Sequence, residues 1–317
     1  MKDYLSLITL VFSSFCFSYG QGAKIYDQSN SDIVSDNLLS VAIDDKGNKW
    51  IGTSGFGLLK FDGKKFISFN GKNSGIKGRY VSPVFKDSRG NIWASFSEPG
   101  DVLGKYDGNG WTVYTAKDLN VDEISVISIC EDTQGAIYVG GSGGVFVFQN
   151  EAWSRLSLPD SSTIVRSMDI DNTGALAIGH NNGLLIRKNE QWQVFTKENS
   201  ELRLGTVRGV KFKANGELLV GYGGGFGDGG FSVISDGKWT HYNKTNSGIS
   251  DHMVRDIEFD GIHYWMATNN GLIKLDGTDI LAVFFREGMY QNVILDIAIE
   301  NGTVWVATNF GLIEYKP

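Results

Sequence analysis

The stretch that decides the fold is Val41-Ala42-Ile43-Asp44-Asp45-Lys46-Gly47-Asn48-Lys49-Trp50-Ile51-Gly52-Thr53. It predicts a strand, a tight turn and a second strand, because Gly47 suits a positive φ and the Asp44 carboxylate can accept turn amides. The unit recurs at intervals of 39 to 46 residues, the length of a four-stranded propeller blade. Its second strand carries an aromatic or apolar anchor at Trp50, Trp93, Tyr138, Ala177, Leu219, Trp265 and Trp305. Seven anchors predict seven blades.

The two ends of the chain predict how the ring closes. The seventh repeat stops at Tyr315-Lys316-Pro317, after its third strand. Near the other end, Tyr26 precedes the run 30–33 at the offset by which Phe69 precedes the run 73–76. We therefore expect residues 23–27 to supply the missing outer strand and to remove an open sheet edge. The expected fold is an all-β, seven-bladed β-propeller over residues 21–317.

The first twenty residues have a different character. Lys2 precedes an apolar run from Leu5 to Phe17, and small residues lie before Gln21. This pattern is typical of a secretory signal peptide, residues 1–20, and indicates a periplasmic or secreted protein. An alternative is a lipoprotein anchor attached at Cys16, but Phe15 stands where a small residue should precede a lipidated cysteine.

Net charge and cysteine content limit the classes of binding partner and the sources of stability. The net charge is −7, which disfavours nucleic acid because phosphates would be repelled. Beyond the leader only Cys130 remains, so no internal disulfide can form, and its place on a predicted inner strand indicates a small core residue. Stability must come from packing and ring closure. We expect no cofactor.

The repeats resemble a known family. Gly90-Asn91-Ile92-Trp93, Gly57-Leu58 with Phe61-Asp62-Gly63, and Trp305-Val306-Ala307-Thr308-Asn309 with Gly311-Leu312 are similar to two-component regulator propeller repeats. The resemblance spans residues 23–317. It implies a periplasmic sensor region, which in that family belongs to hybrid histidine kinases that often sense glycans. We expect this propeller to act without a kinase of its own, through a partner in the cell envelope.

One end of the ring, here called the top face, is the expected recognition surface. It carries the loops that lead into each innermost strand and the loops between second and third strands. Two of the latter are enlarged, 96–101 and 222–230, and insertions on one face are typical of a binding face. Phe56, Phe96 and Phe310 are expected to form an exposed aromatic arc that stacks on sugar or anchors a protein. The alternative is that these rings fold back onto the blades.

Three arginines form a second candidate group on the top face. Arg166, Arg208 and Arg255 occupy the same inner-strand position in adjacent blades, where like charges repel. Either Asp256 and Asp296 neutralise them or an anionic ligand does. The remaining candidate ligand-binding residues on this rim are Arg79, Tyr80, Tyr222, His252 and Tyr290.

Catalytic signals are weak. The run 225–230 matches G-x-G-x-x-G, but a predicted strand follows it, so no helix N-terminus could hold a phosphate. The four histidines form no metal motif, and we expect no metal site. The D-x-x-G-x-x-W runs are interpreted as turns and not as sialidase boxes.

The sequence therefore predicts a secreted or periplasmic binding or sensing propeller that recognises a glycan or a protein partner and is not an enzyme. One alternative is a lyase or hydrolase similar to virginiamycin B lyase, using His180 or His252 at the channel mouth. Another is a scaffold in the cell envelope.

Overall fold

A computed structural model of the chain describes residues 16–20, 22–71, 73–97, 102–123, 125–160, 163–213, 215–223, 229–288 and 291–317. Within these residues the fold is all-β: seven antiparallel sheets stand around a central channel as a seven-bladed propeller. The predicted number of blades and the fold class are confirmed. No helix in the described part of the chain is long and apolar enough to cross a membrane.

The blades follow one another along the chain, and each runs from an inner strand that lines the channel to an outer edge strand. The first four blades are β3(Leu38–Ile43), β4(Lys49–Thr53), β5(Leu58–Phe61), β6(Phe66–Phe69); β7(Tyr80–Lys86), β8(Ile92–Ser97), β9(Val102–Tyr106), β10(Trp111–Tyr114); β11(Val126–Glu131), β12(Ile137–Gly141), β13(Gly144–Gln149), β14(Ala152–Leu156); and β15(Val165–Ile170), β16(Leu176–His180), β17(Gly183–Lys188), β18(Gln191–Phe195).

The last three blades have the same order. They are β19(Val207–Phe212), β20(Leu218–Tyr222), β21(Phe231–Ser235), β22(Lys238–Tyr242); β23(Val254–Phe259), β24(Tyr264–Thr268), β25(Gly271–Asp276), β26(Asp279–Phe284); and β27(Ile294–Glu300), β28(Thr303–Thr308), β29(Gly311–Tyr315) with β2(Ala23–Tyr26). A short strand, β1(Cys16–Tyr19), adds in parallel to the outer edge of blade six. It falls within the predicted signal peptide, of which residues 1–15 lie outside the described residues.

The N-terminal strand closes the ring as predicted. β2 pairs antiparallel with β29, with Ala23 opposite Tyr315 and Tyr26 opposite Leu312. The Tyr26 ring is buried 4.8 Å from the Phe61 ring of blade one, centroid to centroid. One strand from the start of the chain thus completes blade seven and packs against blade one.

The repeated turn has a specific task in the fold. In three blades its aspartate accepts a hydrogen bond from the indole Nε1–H of the anchor tryptophan, at 2.9 Å from Trp50 to Asp44, 2.9 Å from Trp93 to Asp87 and 2.8 Å from Trp265 to Asp260. The other carboxylate oxygen accepts backbone N–H groups of the same turn. These runs are therefore turn motifs, as predicted. Trp50, Trp93 and Trp265 are each at most 2% exposed, and such rings dominate the packing between neighbouring blades.

Candidate functional site

All seven inner strands have an irregularity at the same position, and it creates the site. In six of them the register skips one residue near the top-face start of the strand, as between Leu38 and Ser40. In blade two it skips Ser82 and Pro83 opposite Ser95, so every inner strand has one extra residue there. A bulge of this kind redirects side chains out of the regular alternation. The extra residues line the top of the channel, and we call them the channel mouth: Leu39, Ser82, Ile127, Arg166, Arg208, Arg255 and Leu295.

The channel mouth is divided into two halves. Blades four, five and six supply a cationic arc of Arg166, Arg208 and Arg255. Blades seven, one and three supply Leu295, Leu39 and Ile127, with Ser82 of blade two between them, and these three aliphatic residues are called the apolar arc. The structure therefore brings the three predicted arginines together. Their role in ligand binding remains a prediction.

The positive charges of these three arginines are poorly compensated by neighbouring carboxylates. No carboxylate of the described residues forms an ion pair with Arg166, Arg208 or Arg255. Arg255 donates from Nε and Nη2 to Asn269 Oδ1, at 2.9 and 2.7 Å. The Nε–H groups of Arg166 and Arg208 are buried and have no hydrogen-bond partner in the described part of the chain. Burial, and then the charge of Arg166, lower the pKa of Arg208.

The two aspartates do not neutralise these arginines, which overturns that alternative. Asp296 accepts hydrogen bonds from Ser40 Oγ–H and from Val41 N–H of blade one, while Asp256 accepts the N–H of Ile297. The two carboxyls also face each other. Burial and this mutual proximity raise the pKa of Asp256 well above its usual range, and burial raises the pKa of Asp296 to about 6. They are committed to the junctions between blades.

These contacts belong to a ring of hydrogen bonds directly beneath the mouth. At five of the seven junctions, a side chain from the residue after the bulge accepts a backbone N–H of the next inner strand. The pairs are Val84 to Ser40, Met168 to Ser128, Val210 to Ser167, Ile297 to Asp256 and Val41 to Asp296. At the other two junctions Pro83 and Gly209 provide no acceptor side chain. The second layer thus joins neighbouring blades, whereas in the mouth layer above it Arg166 and Arg208 form no hydrogen bond with the described residues.

The lower channel is also internally satisfied. Lys211 Nζ lies 2.9 Å from Glu258 and 3.7 Å from Asp169. Despite its burial, these carboxylates raise the pKa of Lys211, so the ammonium remains charged and fills the centre of the acidic group. This cluster has no open donor comparable to those of Arg166 and Arg208.

The expected aromatic arc is wrong for two of its three members. Phe56 is 56% exposed, but Phe96 is 1% and Phe310 is 7% exposed. Phe96 lies within β8, where its ring packs edge-on against Trp111 at 5.7 Å, because the strand continues to Ser97 instead of ending before Phe96. Phe310 is covered by the Arg286 guanidinium, 4.2 Å above its ring. The alternative in which rings fold back onto the blades is correct for these two.

Tyr222 is a further correction. It is 0% exposed, because it is the last residue of β20 and its ring packs between blades four and five. Its hydroxyl is hydrogen-bonded to Ser232 Oγ at 2.7 Å. Tyr222 therefore belongs to the core and not to an accessible surface.

The other predicted rim residues divide between the exposed top face and parts of the chain that are not described. Arg79 and Tyr80 are exposed, and the Arg79 carbonyl accepts the N–H groups of Gly55 and Gly57, which flank Phe56. Phe56, Arg79 and Tyr80 thus form one exposed patch. Tyr290 and the centres of the two enlarged loops, 98–101 and 224–228, lie outside the described residues.

The histidines named for catalysis are poorly placed for it. His180 is 3% exposed in β16, and its Nε2 is buried without a partner. Burial lowers the pKa of His180. His252 is partly buried beside Gly229, and its Nδ1 has no partner among the described residues. Neither forms an ion pair with a carboxylate of the described residues.

Sequence reasoning missed site residues whose position depends on how the strands pair. The bulges are invisible to a period-two pattern, so Leu39, Ile127 and Leu295 were not identified as channel residues. Asn269, which holds Arg255, lies in a blade-six loop that the sequence does not link to that arginine. Sequence reasoning also missed Gly223. A Cβ at this position would lie 2.0 Å from Arg208 Cδ, so only glycine leaves room for the Arg208 side chain.

Comparisons with known proteins show similarity of fold alone. No protein-family model matches the chain, and no curated protein matches it. The extracellular domain of the hybrid two-component system BT3049 from B. thetaiotaomicron superposes with a TM-score of 0.73 at 20% identity over 92% of this chain; the chain spans 41% of that domain's length. A catalytically inactive virginiamycin B lyase from Staphylococcus aureus with quinupristin gives a TM-score of 0.75 at 15% identity, covering 93% of this chain and 99% of the lyase. YCF48 bound to D1 peptide gives 0.67 at 12% identity, covering 96% and 100%.

Proposed function

We propose that this chain is a periplasmic or secreted binding propeller that recognises an anionic group of a glycan or a protein partner at the channel mouth. The observation that carries the proposal is the cationic arc. Three guanidinium groups converge there in a protein of net charge −7, and two of them have buried Nε–H groups that find no acceptor among the described residues. Leaving buried donors unpaired is unfavourable, so an arrangement of this kind is expected where a ligand completes it.

The extracytoplasmic location is supported by two observations. The sequence pattern of residues 1–20 is that of a secretory leader. The BT3049 domain, which has the same fold, is extracellular. Fold similarity at this identity does not transfer an activity, so the function is argued from the site.

Binding without turnover is the function that the geometry favours. An enzyme at the mouth would need a proton donor or acceptor within reach of a bound ligand. His180 is buried away from solvent, and the carboxylates beneath the mouth are engaged between blades. The guanidinium groups hold charge and donate hydrogen bonds, but they do not exchange protons near neutral pH.

A pull-down from envelope extracts and a glycan array, both with the purified protein, test this proposal. The same assays are run with Arg166→Gln/Arg208→Gln and with Arg89→Gln, which removes an exposed arginine on the opposite face. The wild type and Arg89→Gln should retain the same ligand, and the double variant should lose it. Equal retention by the double variant would contradict recognition at the channel mouth.

A further inference from the structure

The channel mouth carries more information than its positive charge. The cationic arc covers three consecutive blades, and the apolar arc faces it from the other side of the ring. All three apolar-arc side chains are partly exposed to the channel. Partly exposed aliphatic groups opposite partly buried arginines match a ligand that is itself divided into an anionic and an apolar part.

Two of the three arginines have open donors for an anion. Arg255 already donates to Asn269, whereas Arg166 and Arg208 form no hydrogen bond with the described residues. A carboxylate has two oxygens and accepts charge-assisted hydrogen bonds from guanidinium forks. Two unengaged guanidinium groups can therefore both donate to one carboxylate, since each of its oxygens accepts more than one hydrogen bond.

The layer beneath the mouth limits how far an anion can enter. Asp256 and Asp296 lie in the next residue layer and share a site that favours a single negative charge. A second anion is repelled from that depth. The ligand head group is therefore held at the mouth, which is the upper part of a channel cavity of about 410 Å³.

The apolar arc also distinguishes between ligand bodies. None of the seven mouth residues is aromatic, so these described residues offer no ring on which a sugar could stack. Hydroxyl groups placed against leucine and isoleucine would lose hydrogen bonds to water without replacement. An aliphatic or aromatic body makes the better contact.

We propose that the channel mouth binds an amphipathic carboxylate, with its oxygens between Arg166 and Arg208 and its apolar body on the apolar arc. This inference rests on the proposed function and deepens it by naming the ligand chemistry. Such a group is found at the C-terminus of a peptide with an apolar last residue, or in a free alkyl acid. Both present the same carboxylate head and differ only in the chain attached to it.

Fluorescence anisotropy with a labelled hexapeptide tests the inference. The probe ends in Ala-Val-Leu with a free carboxylate, and the comparison peptides are its C-terminal amide and a version ending in Ser. The free acid should bind at least about tenfold more tightly than the amide and about fivefold more tightly than the serine peptide. Competition by octanoate would identify a free acid as a sufficient ligand, and its failure to compete would point to the peptide terminus; both agree with the proposal.

Variants separate the two arcs. Arg208→Gln should weaken the free-acid peptide about tenfold or more, and Leu39→Asn should abolish the preference for leucine over serine while the preference for acid over amide persists. Thermal unfolding of each variant verifies that it folds. Equal binding of acid and amide, or no effect of Leu39→Asn, would overturn the inference.

A tri-galacturonate competitor distinguishes this inference from the proposed function. If the polar uronate binds more tightly than the apolar acids and needs Arg208, the amphipathic ligand is wrong and the anion-binding function stands. If no probe binds in an arginine-dependent way, the inference fails, and the pull-down with the double variant decides the proposed function independently.

Discussion

Replacing Asp256 by asparagine should make the propeller more stable at neutral and alkaline pH. The Asp256 carboxyl faces Asp296, whose oxygens accept Ser40 Oγ–H and Val41 N–H across the closing junction. Burial and the charge of Asp296 raise the pKa of Asp256, and burial raises the pKa of Asp296. An amide at position 256 can still accept the Ile297 N–H and can donate to Asp296, but it cannot ionise. The substitution therefore removes the like-charge repulsion and retains the hydrogen bonds.

The pKa of Asp296 in the wild-type protein sets the size of the expected change in stability with pH. The pKa of Asp296 is about 6 in the native state against 3.8 ordinarily, so the native state binds this proton more tightly than the unfolded state. The free energy of unfolding should rise as pH falls through 6, by about 1.4 kcal/mol between pH 8 and pH 5 from this group alone, and that gain is lost as pH rises. Below about pH 4 the trend reverses, because carboxylates with lowered pKa values, such as Asp260 at about 2, then take up protons.

Urea unfolding followed by the fluorescence of the 8 tryptophans measures this profile. Asp256→Asn should be about 1 kcal/mol more stable than the wild type at pH 8 and should have a flatter profile between pH 8 and pH 5. Asp122→Asn, at an exposed loop position, is the matched control and should retain the wild-type slope. A wild-type stability that falls from pH 8 to pH 5, or an unchanged slope in Asp256→Asn, would show that the two carboxyls do not share a proton between the blades.

Three further substitutions test other parts of the structure. Arg208→Gln should raise the free energy of unfolding by about 1 kcal/mol, because it removes an unpaired charge that lies close to Arg166. A denaturation curve that shows destabilisation would contradict the claim that the Arg208 guanidinium does not stabilise the fold. Asp87→Ala should cost about 2–4 kcal/mol, since the buried Trp93 Nε1–H and two turn amides lose their acceptor, whereas Asp62→Ala in an exposed hairpin should cost about 1 kcal/mol or less by the same assay. Tyr26→Ala should cost about 3–5 kcal/mol and lower the thermal midpoint, because the closing strand loses its buried ring; a change below about 1 kcal/mol would show that β2 does not hold the ring.

The architecture was predictable because it depends on periodicity. The recurring turn and anchor, exemplified by Asp44 and Trp50, define a repeat, and repeat length alone indicates a propeller blade. Closure was predictable for the same reason, since Tyr26 keeps the offset of an outer-strand aromatic. These features are local in sequence and repeated, so each copy supports the others.

The surface was less predictable because exposure depends on neighbours that sequence does not identify. Phe310 precedes a strand in the same way as Phe56, but Arg286 from the preceding blade covers only Phe310. Asp256 directly follows Arg255, and Asp296 holds the equivalent position in blade seven, yet the bulge turns both carboxyls toward amides of the next blade. Pairings of this kind follow from register and from contacts between blades.

A crystal structure of the protein with the ligand recovered by pull-down would decide whether the channel mouth is the recognition site. We expect an acidic group of that ligand within hydrogen-bonding distance of the Arg166 and Arg208 guanidinium groups at the top of the channel. A ligand seated on the opposite face or on the outer edge of the blades, with both arginines still unengaged, would contradict recognition at the mouth.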